Sequence, residues 1–200
     1  MSSTFINRHW QPRAMLVCHV AAIVLLVSWL WQPTRELWDA FDLWLFKLLN
    51  DPVHAGGLWA HVWAIGSMRP VDAGVGVVML AVMLKADLIF TGAQVRRALF
   101  AFLIALTVML LMRVLFADLV EYMGWQHASP SLVVEGSARL TEMFPAWEGR
   151  WDLKDSASRS FPGDHASVLL IWAYFMTFFA RGWRLLLVWA IAVIGMLPRL

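Results

Sequence analysis

The sequence predicts an all-α protein, a polytopic helical bundle in a membrane, and three observations carry that expectation. Of 200 residues, 60% are hydrophobic, 13 are Trp and only 15% are charged, a balance foreign to a soluble domain. Ala14 to Trp31 contain no Asp, Glu, Lys or Arg, as a membrane-crossing segment requires. Further apolar runs recur at about 70–90, 98–120, 164–180 and 185–200. Together they give five spans in a single integral-membrane domain over 1–200.

The first span, about 14–31, follows a polar start carrying Arg8 and Arg13. It ends in Trp29-Leu30-Trp31 with no small-residue cleavage site, so it is expected to be retained rather than removed as a signal peptide. Gln32-Pro33-Thr34 breaks the helix, and Thr34 can cap a new one. Leu37, Trp38, Phe41, Trp44, Leu45 and Leu48 then recur at three- and four-residue steps, with Glu36, Asp39, Asp42 and Lys47 between them. That pattern predicts an interfacial amphipathic helix at about 35–49. A half-apolar piece, about His54 to Met68, is expected to lead back towards the bilayer.

Arg69-Pro70-Val71-Asp72 opens the second span, with proline early and an acid in the first turn. Its apolar core is short and extends to about 90 only if Lys85 snorkels. Residues 92–97 read as a short basic turn before the third span, which contains Arg113. Residues 121–163 form one long polar loop, and such loops are more often functional than idle. Arg181-Gly182-Trp183-Arg184 is a tight turn between the last two spans.

Charge sets the orientation. The N-terminus, the 85–97 turn and the 181–184 turn share one side, which holds Arg8, Arg13, Lys85, Arg96, Arg97, Arg181 and Arg184 against Asp87 alone. By the positive-inside rule that side is cytoplasmic. The 32–70 and 121–163 segments then lie outside. Arg113, in the outer half of the third span, costs about 2.5–3.5 kcal/mol on insertion scales at a helix centre, so it is expected to serve a site. It can instead pair with Asp118 or snorkel to headgroups. Arg199, at the outer end of the fifth span, suits either a site or an interfacial anchor.

The chemically suggestive stretch is Ser158 to Ser167, a turn-forming segment opening the fourth span. Asp164 and His165 stand at the first turn of that helix, where unpaired N–H groups and the dipole favour anions, phosphate above all. A histidine there can protonate the leaving oxygen of a phosphate ester. The same residues suit an ordinary helix start, with Pro162-Gly163 as turn and Asp164 as cap. Cys18 stands alone, and no Cys cluster exists to bind metal. His54 and His61 have no partnering acid motif, so a zinc site is not expected. No cofactor motif and no nucleic-acid footprint are present.

Phe161-Pro162-Gly163-Asp164-His165 resembles the second signature of the type 2 phosphatidic acid phosphatase superfamily, usually Pro-Ser-Gly-His. Variants with Asp before His occur among its undecaprenyl diphosphate phosphatases, and the form here is similar to its lipid A-modifying branch. The resemblance implies that His165 is the general acid and that backbone around Gly163 cradles phosphate. It implies that Asp164 raises the pKa of His165 or positions the acceptor. Arg113 stands where the first signature has Lys, but Val120 replaces that signature's Arg. Ser129-Pro130-Ser131 resembles a displaced end of it, with His127 beside it as a further candidate. Arg139, Lys154 or Arg159 would then supply the second cation, Arg159 being nearest the motif. Pro198-Arg199-Leu200 resembles the start of the third signature, whose histidine nucleophile and aspartate do not follow in this chain.

The implied activity is that of a phosphatase or phosphotransferase acting on lipid phosphates through a phospho-histidine. Undecaprenyl diphosphate would be the substrate and lipid A a possible acceptor. No metal or cofactor is implied. The expected setting is the bacterial inner membrane, with the N-terminus cytoplasmic and the site facing the periplasm. The alternative is a truncated or inactive lipid-phosphate-binding protein of the same family.

Overall fold

A computed structural model describes residues 11–153, 155, 157 and 163–197. The chain divides into two compact units, Met1–Leu48 and Leu49–Leu200. All named elements are helical: α1 (Pro12–Leu30), α2 (Gln32–Asn50), α3 (Gly57–Gly66), α4 (Arg69–Leu84), α5 (Gly92–Met123), α6 (Pro130–Val133), α7 (Leu140–Met143), α8 (Pro145–Trp151), α9 (Asp164–Thr177) and α10 (Trp183–Met196), with a 3-10 turn at Asp51–Ala55. Among the described residues, α1 and α5 are long and apolar enough to cross a membrane. The apolar α9 and α10 are shorter, at 14 residues each.

In the first unit the break between α1 and α2 falls at Trp31, which is extended at φ −78°, ψ 118°. Thr34 does not cap α2, as its position after Pro33 suggests. It lies inside the first turn, and its hydroxyl donates to the carbonyls of Ser28 and Trp31, covering acceptors that the end of α1 leaves open. Leu37, Phe41, Trp44 and Leu48 of α2 are exposed along one face. Asp42 of α2 has its pKa raised above the ordinary carboxylate value, first by burial and second by the Asp39 charge.

The second unit departs from the expected boundaries in three places. Helix α4 stops at Leu84 instead of running to 90, because Asp87 turns into the left-handed region at φ 64° and its N–H bonds the Phe90 carbonyl at 2.8 Å. Residues 92–97 are helical, not a turn. Thr91 and Gln94 form a reciprocal capping box, which satisfies two backbone donors and starts α5 early. At its far end Gly124 adopts φ 68° to close the helix, a conformation costly for a residue with Cβ. Helix α9 ends at Thr177, three residues before the expected span limit.

The 124–163 segment is not structureless. Its α7 and α8, with α3 and the 3-10 turn, enclose a small core of Val53, Ala60, Ala64, Ala138, Leu140 and Leu153, flanked by Trp63, Met68, Phe144 and Trp147. The 54–68 piece therefore packs under this loop. Asn50 pins the loop with two bonds, Nδ2 donating to the Ala138 carbonyl at 3.0 Å and Oδ1 accepting its N–H at 2.8 Å. Arg69 pairs with Asp152, and Met68 bridges Leu153, fixing the loop to the start of α4.

Helix α9 packs on α10 and α5, and α4 packs on α5 and α10. Phe90 meets Phe175 and Phe179, while Phe102 meets Phe175. Moving back along α5 thus moves forward along α9, so the two helices run antiparallel. Trp189 Nε1 donates to Thr177 Oγ1 at 3.0 Å, closing the α9–α10 hairpin near its turn.

Candidate functional site

Three helix ends meet at His165. Gly163 is the N-cap of α9, with φ −75° and ψ 127°, and no side chain caps it. The expected cap, Asp164, is instead the first helical residue. Ser167 Oγ donates to the Gly163 carbonyl at 2.7 Å, tying down the first turn while leaving its N–H groups outward. His165 follows, half-buried. Its Nε2 lies 2.9 Å from the carbonyl oxygen of Gly195. A carbonyl only accepts, so Nε2 carries the proton of this bond. Gly195 stands in the last turn of α10, and the imidazole donates to its carbonyl.

The other ring nitrogen faces an acid from a third helix. Nδ1 lies 3.7 Å from Asp72 Oδ1, with side chains 23% and 29% exposed. That separation exceeds a hydrogen bond but suits an ion pair when the ring is doubly protonated. Sequence reasoning missed this role for Asp72, treating it as a dipole-matching acid at the start of α4. The available signal was its isolation, because no other acid occurs between Arg69 and Leu84.

Gly195 is what allows the approach. A Cβ there would lie 3.2 Å from Leu169 Cδ1 and 3.2 Å from Val75 Cγ1, closer than most real contacts. The absent side chain lets α4, α9 and α10 close around one point, and that point is beside His165.

Arg113 belongs to the inward stripe of α5. Ala98, Phe102 and Val120 are buried on that stripe, and 105, 106, 109, 113 and 116 are half-buried. Phe102 and Arg113 are eleven residues apart, about three turns, so they share a face. The Phe102–Phe175 contact, at 5.5 Å between centroids, sets the level of α5 against α9. From it, Arg113 lies about 16 Å up α5 and His165 about 15 Å up the antiparallel α9 at 1.5 Å rise per residue. The guanidinium-bearing position and the imidazole-bearing position stand at one height on packed helices.

The remaining candidates separate. Arg139 Nε donates to the Ser131 carbonyl at 3.1 Å, and Nη1 meets Glu142 Oε1 at 2.8 Å. It is thus occupied in holding the loop. The Ser129–Ser131 segment is zipped to the strand of chain before the motif: Ser129 N–H donates to the Ala157 carbonyl at 2.9 Å, and Ser131 Oγ donates to the Asp155 carbonyl. His127 is exposed. Lys154, Arg159, Phe161, Pro162 and Arg199 lie outside the described residues, as does the Asp164 side chain. Among the described residues no group of His, Cys, Asp or Glu is arranged to hold a metal ion.

This geometry offers an oriented proton donor at a dipole-positive helix start with an arginine level with it, an arrangement suited to an anion. Over 170 residues, 82% of this chain, the sequence is 27% identical to lipid A 1-diphosphate synthase of Escherichia coli (strain K12). The aligned stretch spans 66% of that protein's length, just under two thirds. No family model matches the sequence, and no solved structure matches it. Among the described residues the fold is all-helical, with two helices long and apolar enough to cross a membrane, and the sequence is similar along most of its length to lipid A 1-diphosphate synthase.

Proposed function

We propose that this chain is a five-span inner-membrane protein acting on lipid phosphates or diphosphates at the periplasmic face, as a phosphatase or phosphotransferase. The observation that carries this is the bracing of His165 between Gly195 and Asp72 at the level of Arg113. The similarity to lipid A 1-diphosphate synthase supports a diphosphate lipid such as undecaprenyl diphosphate as donor and lipid A as one acceptor. The seven cytosolic-side bases described above support the orientation.

In this mechanism the phosphate sits over the N–H groups that open α9, and Arg113 neutralises its equatorial oxygens bidentately. The bond from the transferred phosphorus to its leaving oxygen, the bridging oxygen in a diphosphate lipid, breaks as a nucleophile forms its own bond in line. Nδ1 of the His165 imidazolium delivers its proton to that departing oxygen. Asp72 balances the positive ring before transfer, and Gly195 holds its orientation through Nε2. The neutral ring then takes a proton from water or from an acceptor hydroxyl, which attacks the phosphoryl-enzyme. The resemblance assigns in-line attack to a histidine of the third signature.

The test is phosphate release from undecaprenyl diphosphate in proteoliposomes, run alongside binding of the same lipid. Replacing His165 with Ala should lower turnover by about 10²–10⁴-fold, the range of general acid catalysis. Unchanged turnover would remove His165 from the mechanism. Saturable binding without release supports the second reading, a lipid-phosphate binder. Adding lipid A distinguishes transfer from release to water.

A further inference from the structure

Helix α3 is apolar on two opposite faces, and the fold uses only one of them. Gly57 to Gly66 contain no Asp, Glu, Lys or Arg. At 100° per residue, Ala60, Trp63 and Ala64 share one arc, and Leu58, Val62 and Ile65 share the other. The first arc packs into the small core against Ala138, Leu140 and Leu153. The second is bare: Leu58 is 82% exposed, Val62 52% and Ile65 49%, with Trp59 at 41% on its edge. His61, at the flank between the arcs, is exposed and stacks edge-on against Phe144 and Trp147; the rest of the helix is apolar, and such a surface belongs in a core or in lipid, of which the core accounts for one arc.

Charge and length name the occupant of the other half. The cap formed by α3, the 3-10 turn and residues 124–153 carries its charges off α3: Asp51 on the turn, and Glu135, Arg139, Glu142, Glu148, Arg150 and Asp152 on the segment whose Ala138, Leu140 and Leu153 cover the other arc. The cap as a whole is thus amphipathic, polar behind and apolar in front, as units lying in a bilayer surface are. Only Ser67 and Met68 separate α3 from α4. Helix α4 has 16 residues, about 24 Å, and α9 and α10 are about 21 Å each, against a hydrocarbon core of about 30 Å. These helices fall short of the apolar layer, and the charge-free α3, two residues from the start of α4, is an apolar surface that can make up the difference.

We infer that the Leu58–Val62–Ile65 face of α3 is embedded in the acyl region of the outer leaflet, so that the cap is a monotopic insertion beside the His165 site. This rests on the membrane reading above, and the experiment separates the two. Nitroxide labels are placed at Val62→Cys, Leu111→Cys and Glu135→Cys in a Cys18→Ser background, in the full chain reconstituted in phosphatidylethanolamine–phosphatidylglycerol vesicles. Leu111 is 62% exposed on α5 and serves as the lipid-facing reference; the exposed Glu135 serves as the aqueous one. Collisions with oxygen should exceed collisions with a water-soluble nickel chelate at 62 as they do at 111, with the ratio reversed at 135. A ratio at 62 like that at 135, with 111 lipidic, overturns the inference and leaves the membrane reading standing. Spin–spin broadening at 62 that vanishes on dilution with unlabelled chain overturns it in favour of a second copy. A ratio at 111 like that at 135 overturns both. A Leu58→Cys label, on the same arc, repeats the test should Val62→Cys fail to fold.

Discussion

Replacing Gly195 with Ala tests the close approach on which the His165 arrangement depends. Two effects oppose each other. Alanine gains about 0.5–1 kcal/mol over glycine inside a helix. The new Cβ, however, meets Leu169 Cδ1 and Val75 Cγ1 at 3.2 Å and Leu169 Cδ2 at 3.4 Å. Leu169 is 2% exposed and has little room to retreat, and Val75 is β-branched and stiff at χ1. Overpacking of this kind costs about 1–3 kcal/mol. The clash therefore wins over most of the range, and the expected net loss is about 1 kcal/mol, within limits of about 0–2.5 kcal/mol. The assay is reversible unfolding in detergent micelles by SDS titration, run as a double-mutant cycle with Leu169→Ala. Leu169→Ala alone should cost about 2–5 kcal/mol as a core truncation. In the double variant the added methyl occupies part of the vacated space, so the combined loss should fall short of the sum by at least about 0.5 kcal/mol. A stabilising Gly195→Ala, or strict additivity with Leu169→Ala, would refute the packing described here.

Three further outcomes are expected. Asp72→Asn keeps the shape but removes the charge facing Nδ1 of His165, so kcat should fall with KM unchanged, and by less than in His165→Ala; initial-rate kinetics read both. Asn50→Ala strips the Ala138 backbone of both partners at a cost of about 1–3 kcal/mol, and hydrogen exchange should rise across 130–153 while α5 and α9 stay protected. For Asp42, the folded-state pKa is raised above 3.8, so the folded state binds the proton more tightly than the unfolded one. Its contribution therefore declines as pH rises from 3.8 through the raised value. Asp42→Asn should protect α2 amides more than the parent chain does at neutral pH, with the difference closing as pH falls below 3.8.

Much of the helical layout was legible because apolar runs and charge breaks are local. The position of His165 at a helix start followed from Pro162-Gly163 ahead of an apolar run. For Arg113 the sequence left a site, a pair with Asp118 and snorkelling open, and only the burial of Ala98, Phe102 and Val120 marks its stripe of α5 as inward. What escaped depends on contacts distant in sequence or on short-range bonds that hydropathy does not register. Asp72 meets His165 across 93 positions of chain, and its isolation among apolar residues marks the acid without naming its partner. Thr91 and Gln94 did carry a readable signature three residues apart, but the basic pair Arg96-Arg97 drew the segment towards a turn. The 124–163 loop lacks periodicity because its short helices are held by single anchors such as Asn50 and Arg69. The piece 54–68 looked bound for the bilayer from composition alone, and composition does not reveal which face of α3 the loop takes.

The bond from His165 to Gly195 ties chemistry to architecture. The same imidazole that can hand over a proton also supplies the closing donor for the last turn of α10. A ring that swings towards a ligand gives up this bond, and the last turn of α10 gives up a tether to α9. Occupancy of the site and order at the tail of α10 are accordingly two readouts of one equilibrium.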